Sequence, residues 1–219
     1  MNNHYFEILD KKERDPAKLF PSFSMYENIK KDMNVKIDPI TEQIGNSKDT
    51  IKIIKNFISN EDVDFLKFIF EKKEFLSDEE LKKANYLANK TLEKMKNKAQ
   101  DLFGFKLIED VSMNIPHNER FYILKRHENF VTDIHCDNFG DYQNVMYMWS
   151  GTLSNLIYLN DNYSGGELYF PEHDLMIKPE KGMFVSFPGN FFNRHGIFPA
   201  IGDGRYAMSI FLKIENYKE

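Results

Sequence analysis

Cysteine occurs once in the 219 residues, at Cys136. A lone cysteine excludes an intrachain disulfide and every cysteine-rich zinc module, so any metal must rest on His, Asp or Glu. Long apolar runs are also missing. No uncharged stretch approaches the ~18–20 residues of a membrane span, and the start, MNNHYFEILDKKERD, lacks the basic-then-apolar layout of a secretory leader. The expectation is a soluble, cytoplasmic protein without a membrane partner. Basic residues are not in excess: 29 Lys and Arg face 34 Asp and Glu, a net charge of −5. That balance argues against nucleic acid as a partner, because phosphate binding draws on Lys and Arg. Internal repeats and low-complexity tracts are absent too, and nothing specifies an oligomeric state. Apolar material is plentiful, with 42% hydrophobic residues, 20 Phe and 11 Tyr. It suffices for one self-folding domain.

Residues 1–50 are polar, carry prolines at 16, 21 and 39, and show no sustained period. They read as an irregular arm lying on the domain that fills 51–219. IKIIKNFI (51–58) is strand-like, and Ser59 to Asp62 then caps a helix whose apolar positions begin Val63, Leu66, Ile69 and Phe70. A second capping pair, Ser77 and Glu80, opens a longer helix. Its apolar steps, Leu81, Ala84, Leu87, Ala88, Leu92, Met95, Ala99 and Leu102, run to Gly104. From Phe105 onward the pattern changes to short β-branched and aromatic runs: 105–113, 119–126, 131–137, 143–149, 153–160, 166–170, 175–178, 183–187, 195–198 and 205–213. Many short strands without intervening helices predict an antiparallel sandwich or barrel.

His135-Cys136-Asp137 and the distant His195 carry the chemistry. In a strand, residues i and i+2 share a face ~6.5–7 Å apart, so His135 and Asp137 can reach one ion while Cys136 turns away. Two imidazoles and one carboxylate leave coordination positions open and suit Fe(II). His-x-Asp alone is a weak signal, equally satisfied by a hydrogen-bonded histidine beside a surface acid. Arg205 adds to it. It follows His195 by ten residues, directly after Gly202-Asp203-Gly204, and a guanidinium grips a carboxylate in a two-pronged fork. Ala207 and Ser209, on the same face of that strand, leave room, whereas Tyr206, Met208, Ile210 and Leu212 form a core face.

In these residues the chain resembles the 2-oxoglutarate- and Fe(II)-dependent dioxygenases, within them the prolyl 4-hydroxylase-like group. The resemblance covers roughly 51–213. It rests on IKIIKNFISNEDVDFL, His135-x-Asp137, LIYLND (156–161), SGGELYFP (164–171), KPEKGMFVSFPG (178–189), His195 and GRYAMSIFL (204–212). It implies a mainly β fold with N-terminal helices and a double-stranded β-helix (jelly-roll) core. It also implies Fe(II), 2-oxoglutarate and O2 as reactants, ascorbate as a supporting reductant, and hydroxylation of a peptide or small-molecule substrate with release of succinate and CO2. His135, Asp137 and His195 match the iron ligands, and Arg205 matches the residue that holds the distal carboxylate of 2-oxoglutarate. Tyr158 matches a tyrosine that assists Arg205. One departure stands out. The family often has a tyrosine about nine residues before its His-x-Asp, where this chain reads KRHENFVTD; His127 lies eight residues before, and that role is not transferred to it.

Phe184, Phe187, Phe191, Phe192 and Phe211 are candidates for a dry wall. The stretch 138–151 could cover the substrate, with Trp149 and Tyr147 as contacts. His117 and His173 sit in turn-like settings as exposed residues. Two other classes stay open: a β-helix domain that binds without catalysing, and a zinc hydrolase, since two histidines and a carboxylate also bind Zn2+.

Overall fold

The computed structural model describes residues 19–20, 47–111, 122–137 and 152–215. The fold is mainly β and antiparallel. Its helices come first. After strand β1 (Lys52–Ile54), helix α1 (Asn60–Lys72) begins at Ser59, whose hydroxyl accepts the Asp62 amide, and it buries Val63, Leu66 and Ile69 along one stripe. Helix α2 (Asp78–Phe103) opens on a reciprocal box: the Ser77 hydroxyl accepts from the Glu80 amide while the Glu80 carboxylate accepts from the Ser77 amide. It closes at Gly104 (φ 75°), whose N–H returns to the Gln100 carbonyl. Ala84, Ala88 and Ala99 on its buried face allow close approach to the sheet beneath.

The remaining strands are β2 (Leu107–Glu109), β3 (Ile123–Arg126), β4 (Thr132–His135), β5 (Thr152–Tyr158), β6 (Tyr163–Gly165), β7 (Leu168–Phe170), β8 (Leu175–Ile177), β9 (Phe184–Pro188), β10 (His195–Ile197), β11 (Ala200–Gly202) and β12 (Arg205–Ile214). A large sheet has the order β1-β9-β5-β12-β2, with β3 also paired to β12. A small sheet has the order β4-β10-β7-β8, and β11 pairs with β6.

Period-two alternation assigns each face. Leu153, Ile157, Phe184, Met208, Ile210 and Leu212 point from the large sheet to the helices. From the same strands Tyr158, Val185, Phe187 and Ala207 point the other way, onto Leu168, Phe170 and Ile177 of the small sheet. The outer face of the small sheet is covered by Phe20, fully buried against Ile134, Cys136, Tyr169 and Phe198. The layers are therefore helices, large sheet, small sheet and Phe20. No described helix is long and apolar enough to cross a membrane.

Several sequence expectations change in detail. The strand expected over 51–58 stops at Ile54, because Asn56 takes a positive φ of 52° and turns the chain into α1. The β6–β11 pair falls in stretches that read as turns. The expected strand 143–149 lies outside the described residues, as do most of the arm (1–50) and His117. His173 is half-buried, its Nε2 bonded to the Asn193 side chain at 3.0 Å.

Candidate metal centre

The site lies between the sheets. His135 ends β4 and His195 begins β10, and the antiparallel register sets them directly opposite, with ring centroids 4.5 Å apart. Asp137 lies just beyond the end of β4, on the side of His135. The neighbours Ile134 and Cys136 alternate to the other face and pack on Phe20. Cys136 is therefore a core thiol, and burial pushes it up to about 12.

The hydrogen bonds around the histidines fix their tautomers. His135 Nδ1 donates to the Asp133 carbonyl at 2.8 Å and His195 Nδ1 to the Asn193 carbonyl at 3.1 Å. A carbonyl can only accept, so each neutral ring keeps its lone pair on Nε2. Those Nε2 atoms lie 3.3 and 3.5 Å from the two oxygens of Asp137. Ser154, on β5 of the large sheet, donates its hydroxyl to Asp137 Oδ2 and ties the carboxylate across the layers.

Charge follows the geometry. Burial holds the His195 imidazole down to about 4, so this ring is neutral at pH 7. Burial also lowers His135, but the Asp137 carboxylate outweighs it and the net shift is upward. Burial alone would raise Asp137; the His195 and His135 rings reverse it and bring the carboxyl down to about 2. Ligand atoms of the three residues all lie within 4.8 Å of one another. Lone pairs converging at this separation call for a cation, and the nitrogen-oxygen set suits a divalent transition metal. The residues therefore fit Fe(II).

A second polar group faces the same space. Arg205 opens β12 on the inner face, with its guanidinium 5.5 Å from the Tyr158 ring centroid. The Asn160 side chain pins this corner: its Oδ1 accepts the Tyr206 amide and its Nδ2 donates to the Gly204 carbonyl, both at 2.9 Å. Arg205 Nε and Nη1 are buried without a hydrogen-bond partner, and the buried Tyr158 hydroxyl faces Arg205. Burial raises the Tyr158 phenol, and the Arg205 cation opposes that rise. Unpaired buried donors around a cation make an anion site, which fits a carboxylate.

Of the expected wall, Phe187 touches the site, with its ring 4.7 Å from that of His195, whereas Phe184 stacks on Phe57 in the helix-side core. Phe170, 5.6 Å from the His195 ring, is a wall residue that the sequence reading passed over. Its signal was the LYF run of a strand adjacent to His195. His127 is exposed beyond the end of β3. Trp149 and Tyr147 lie outside the described residues.

Residues 121–213 match the sequence profile of the 2OG-Fe(II) oxygenase superfamily. Among solved structures, the viral collagen prolyl hydroxylase of Paramecium bursaria Chlorella virus-1, in its 2OG complex, superposes with a TM-score of 0.56 and 15% identity, over 75% of this chain and 96% of that one. A prolyl 4-hydroxylase from Phytophthora capsici gives 0.52 and 13%, over 80% and 64%. One from Pseudomonas putida gives 0.50 and 14%, over 84% and 98%. At these identities the likeness is one of fold. Among curated proteins none matches this sequence.

Proposed function

We propose, from the match of residues 121–213 to the 2OG-Fe(II) oxygenase superfamily, that the chain is a hydroxylase acting on a C–H bond of a peptidyl or free amino acid, in the manner of a prolyl 4-hydroxylase. The observation that carries the proposal is the convergence of His135 Nε2, His195 Nε2 and the Asp137 carboxylate, with a buried Arg205–Tyr158 anion site in the same inter-sheet space. We assign His135, Asp137 and His195 to Fe(II), and Arg205 with Tyr158 to the distal carboxylate of 2-oxoglutarate. Bound there, Fe(II) with 2-oxoglutarate and O2 supplies the oxidising chemistry, with succinate and CO2 as products and ascorbate as supporting reductant.

The protein's own residues do the rest. The Asp133 and Asn193 carbonyls hold both rings in the metal-binding tautomer, and Ser154 orients the carboxylate. Phe170 and Phe187 keep bulk water from the His195 side of the metal. In this reading the two packed sheets are the halves of a double-stranded β-helix. Residues 51–219 make up the catalytic domain, 1–50 are an arm held to it at Phe20, and the protein works in the cytoplasm.

The test is anaerobic addition of Fe(II) and 2-oxoglutarate. A weak visible charge-transfer band is expected, absent in His135→Ala, together with succinate release when O2 and peptide or amino-acid substrates are supplied. Iron bound without any 2-oxoglutarate turnover across the panel would instead indicate a binding domain. Activity with Zn2+ that survives Arg205→Ala would indicate a hydrolase.

A further inference from the structure

The register of β3 on β12 sets Arg126 directly opposite Arg205. Directly opposed residues in an antiparallel pair project from the same face with Cβ atoms roughly 5 Å apart, and like charges there destabilise the pair. The alternation confirms the face: Lys125, one residue back, lies on the helix side, 4.9 Å from the Tyr206 ring. Arg126 therefore lies on the inner face with Arg205, Tyr158 and Ala207.

Two like charges in one partly buried wall need a counter-charge. Among the described residues no carboxylate lies within ion-pair distance of either guanidinium. The Nε of Arg126 is buried without a hydrogen-bond partner, as are Nε and Nη1 of Arg205. The Arg126 guanidinium rests 4.9 Å from the Phe130 ring, which positions it without neutralising it. Burial, and then the Arg205 charge, lower the affinity of Arg126 for its proton. The wall thus presents three unpaired buried guanidinium nitrogens and two positive charges. Arg205 and Tyr158 can satisfy one carboxylate, and Arg126 is in excess of that requirement.

We propose that Arg126 is a specificity-determining residue for the co-substrate, which with Arg205 makes the pocket doubly cationic and selects 2-oxo acids carrying a second carboxylate. The proposal rests on the reading of Arg205 above. It places a second charged group at the end of β3, opposite Arg205, and makes discrimination between dianionic and monoanionic 2-oxo acids a matter of charge as well as hydrogen bonding.

The test is anaerobic calorimetry on the full chain with Mn(II) as a redox-silent metal. It compares 2-oxoglutarate with 2-oxovalerate, which replaces the distal carboxylate by a methyl group. Arg126→Gln is expected to weaken 2-oxoglutarate binding roughly tenfold, leave 2-oxovalerate binding unchanged, and leave the melting temperature of the ligand-free protein equal or higher, as the loss of one of two opposed charges requires. Arg126→Lys is expected to retain most of the discrimination. Unchanged 2-oxoglutarate affinity in Arg126→Gln, equal losses for both acids, or a clear fall in the ligand-free melting temperature would each overturn the proposal. If Arg205→Gln abolishes binding and Arg126→Gln does not, only this inference fails. If 2-oxoglutarate does not bind the unmodified protein, the reading beneath it fails.

Discussion

Ser154, on the large sheet, donates a hydrogen bond to Asp137, at the edge of the small sheet. This bond joins the two layers at the candidate metal centre and leaves the Asp137 oxygens turned toward the two imidazoles. Outer contacts of this kind typically contribute 10–100-fold to metal affinity. Ser154→Ala is expected to weaken Fe(II) or Mn(II) binding by about tenfold while the fold stays intact. A chelator competition titration measures it, and an unchanged affinity would remove Ser154 from the account.

Phe20 lies behind the same centre. A Cβ on Gly196, the neighbour of His195, would come 2.9 Å from the Phe20 ring, so glycine is required for the ring to seat there. Phe20→Ala is expected to lower stability by about 3 kcal/mol, in the range for emptying a buried aromatic site. It should also expose Cys136, whose thiol is 2% exposed and pushed up to about 12. The unmodified protein should resist iodoacetamide at pH 8 while Phe20→Ala reacts, and denaturant melts together with mass spectrometry read both effects.

Gly204 has φ +83°, and a Cβ there would lie 2.6 Å from the Arg126 carbonyl oxygen. Gly204→Ala both strains the turn and pushes β3 from β12 just where the two arginines face each other. A loss of roughly 1–3 kcal/mol is expected from the backbone strain, together with weaker 2-oxoglutarate binding. Thermal unfolding and calorimetry on the same sample test the coupling.

The Ser77–Glu80 capping box gives a pH-dependent prediction on the far side of the molecule. Hydrogen bonds from the Ser77 side chain and backbone lower the Glu80 carboxyl below its ordinary value. A carboxyl depressed on folding adds stability above its unfolded pKa, and that stability is lost as the pH falls through the folded value. Glu80→Ala should therefore destabilise the protein at pH 7 and make little difference near pH 3. Urea midpoints at the two pH values decide it.

The parts legible in the sequence are those written in short, local chemical codes. Both capping pairs announce their helices, and the alternation Arg205, Ala207, Ser209 against Tyr206, Met208, Ile210 assigns the two faces of β12 as the structure has them. His135, Asp137 and His195 were legible as one cluster because i and i+2 share a side, although the strand itself ends at His135. The rest depended on register, which no local pattern carries. That Arg126 faces Arg205, that Phe170 walls His195, and that Asn160 stands in for a strand at the start of β12 all follow from pairings between distant segments. The β6–β11 ladder was missed because two three-residue strands among Asn, Gly and Pro leave no periodicity to detect.

The seat of Phe20 against Gly196 also sets an order of events. The two lie far apart in the chain, and β1 likewise waits for β9, which is more than a hundred residues downstream. A ribosome emits Phe20 and β1 long before the partners that cover them, so the early segment must stay unpaired while the rest is made. With strands paired across such sequence separations, the protein should fold late and comparatively slowly, and the metal-bearing layer should close among the last steps.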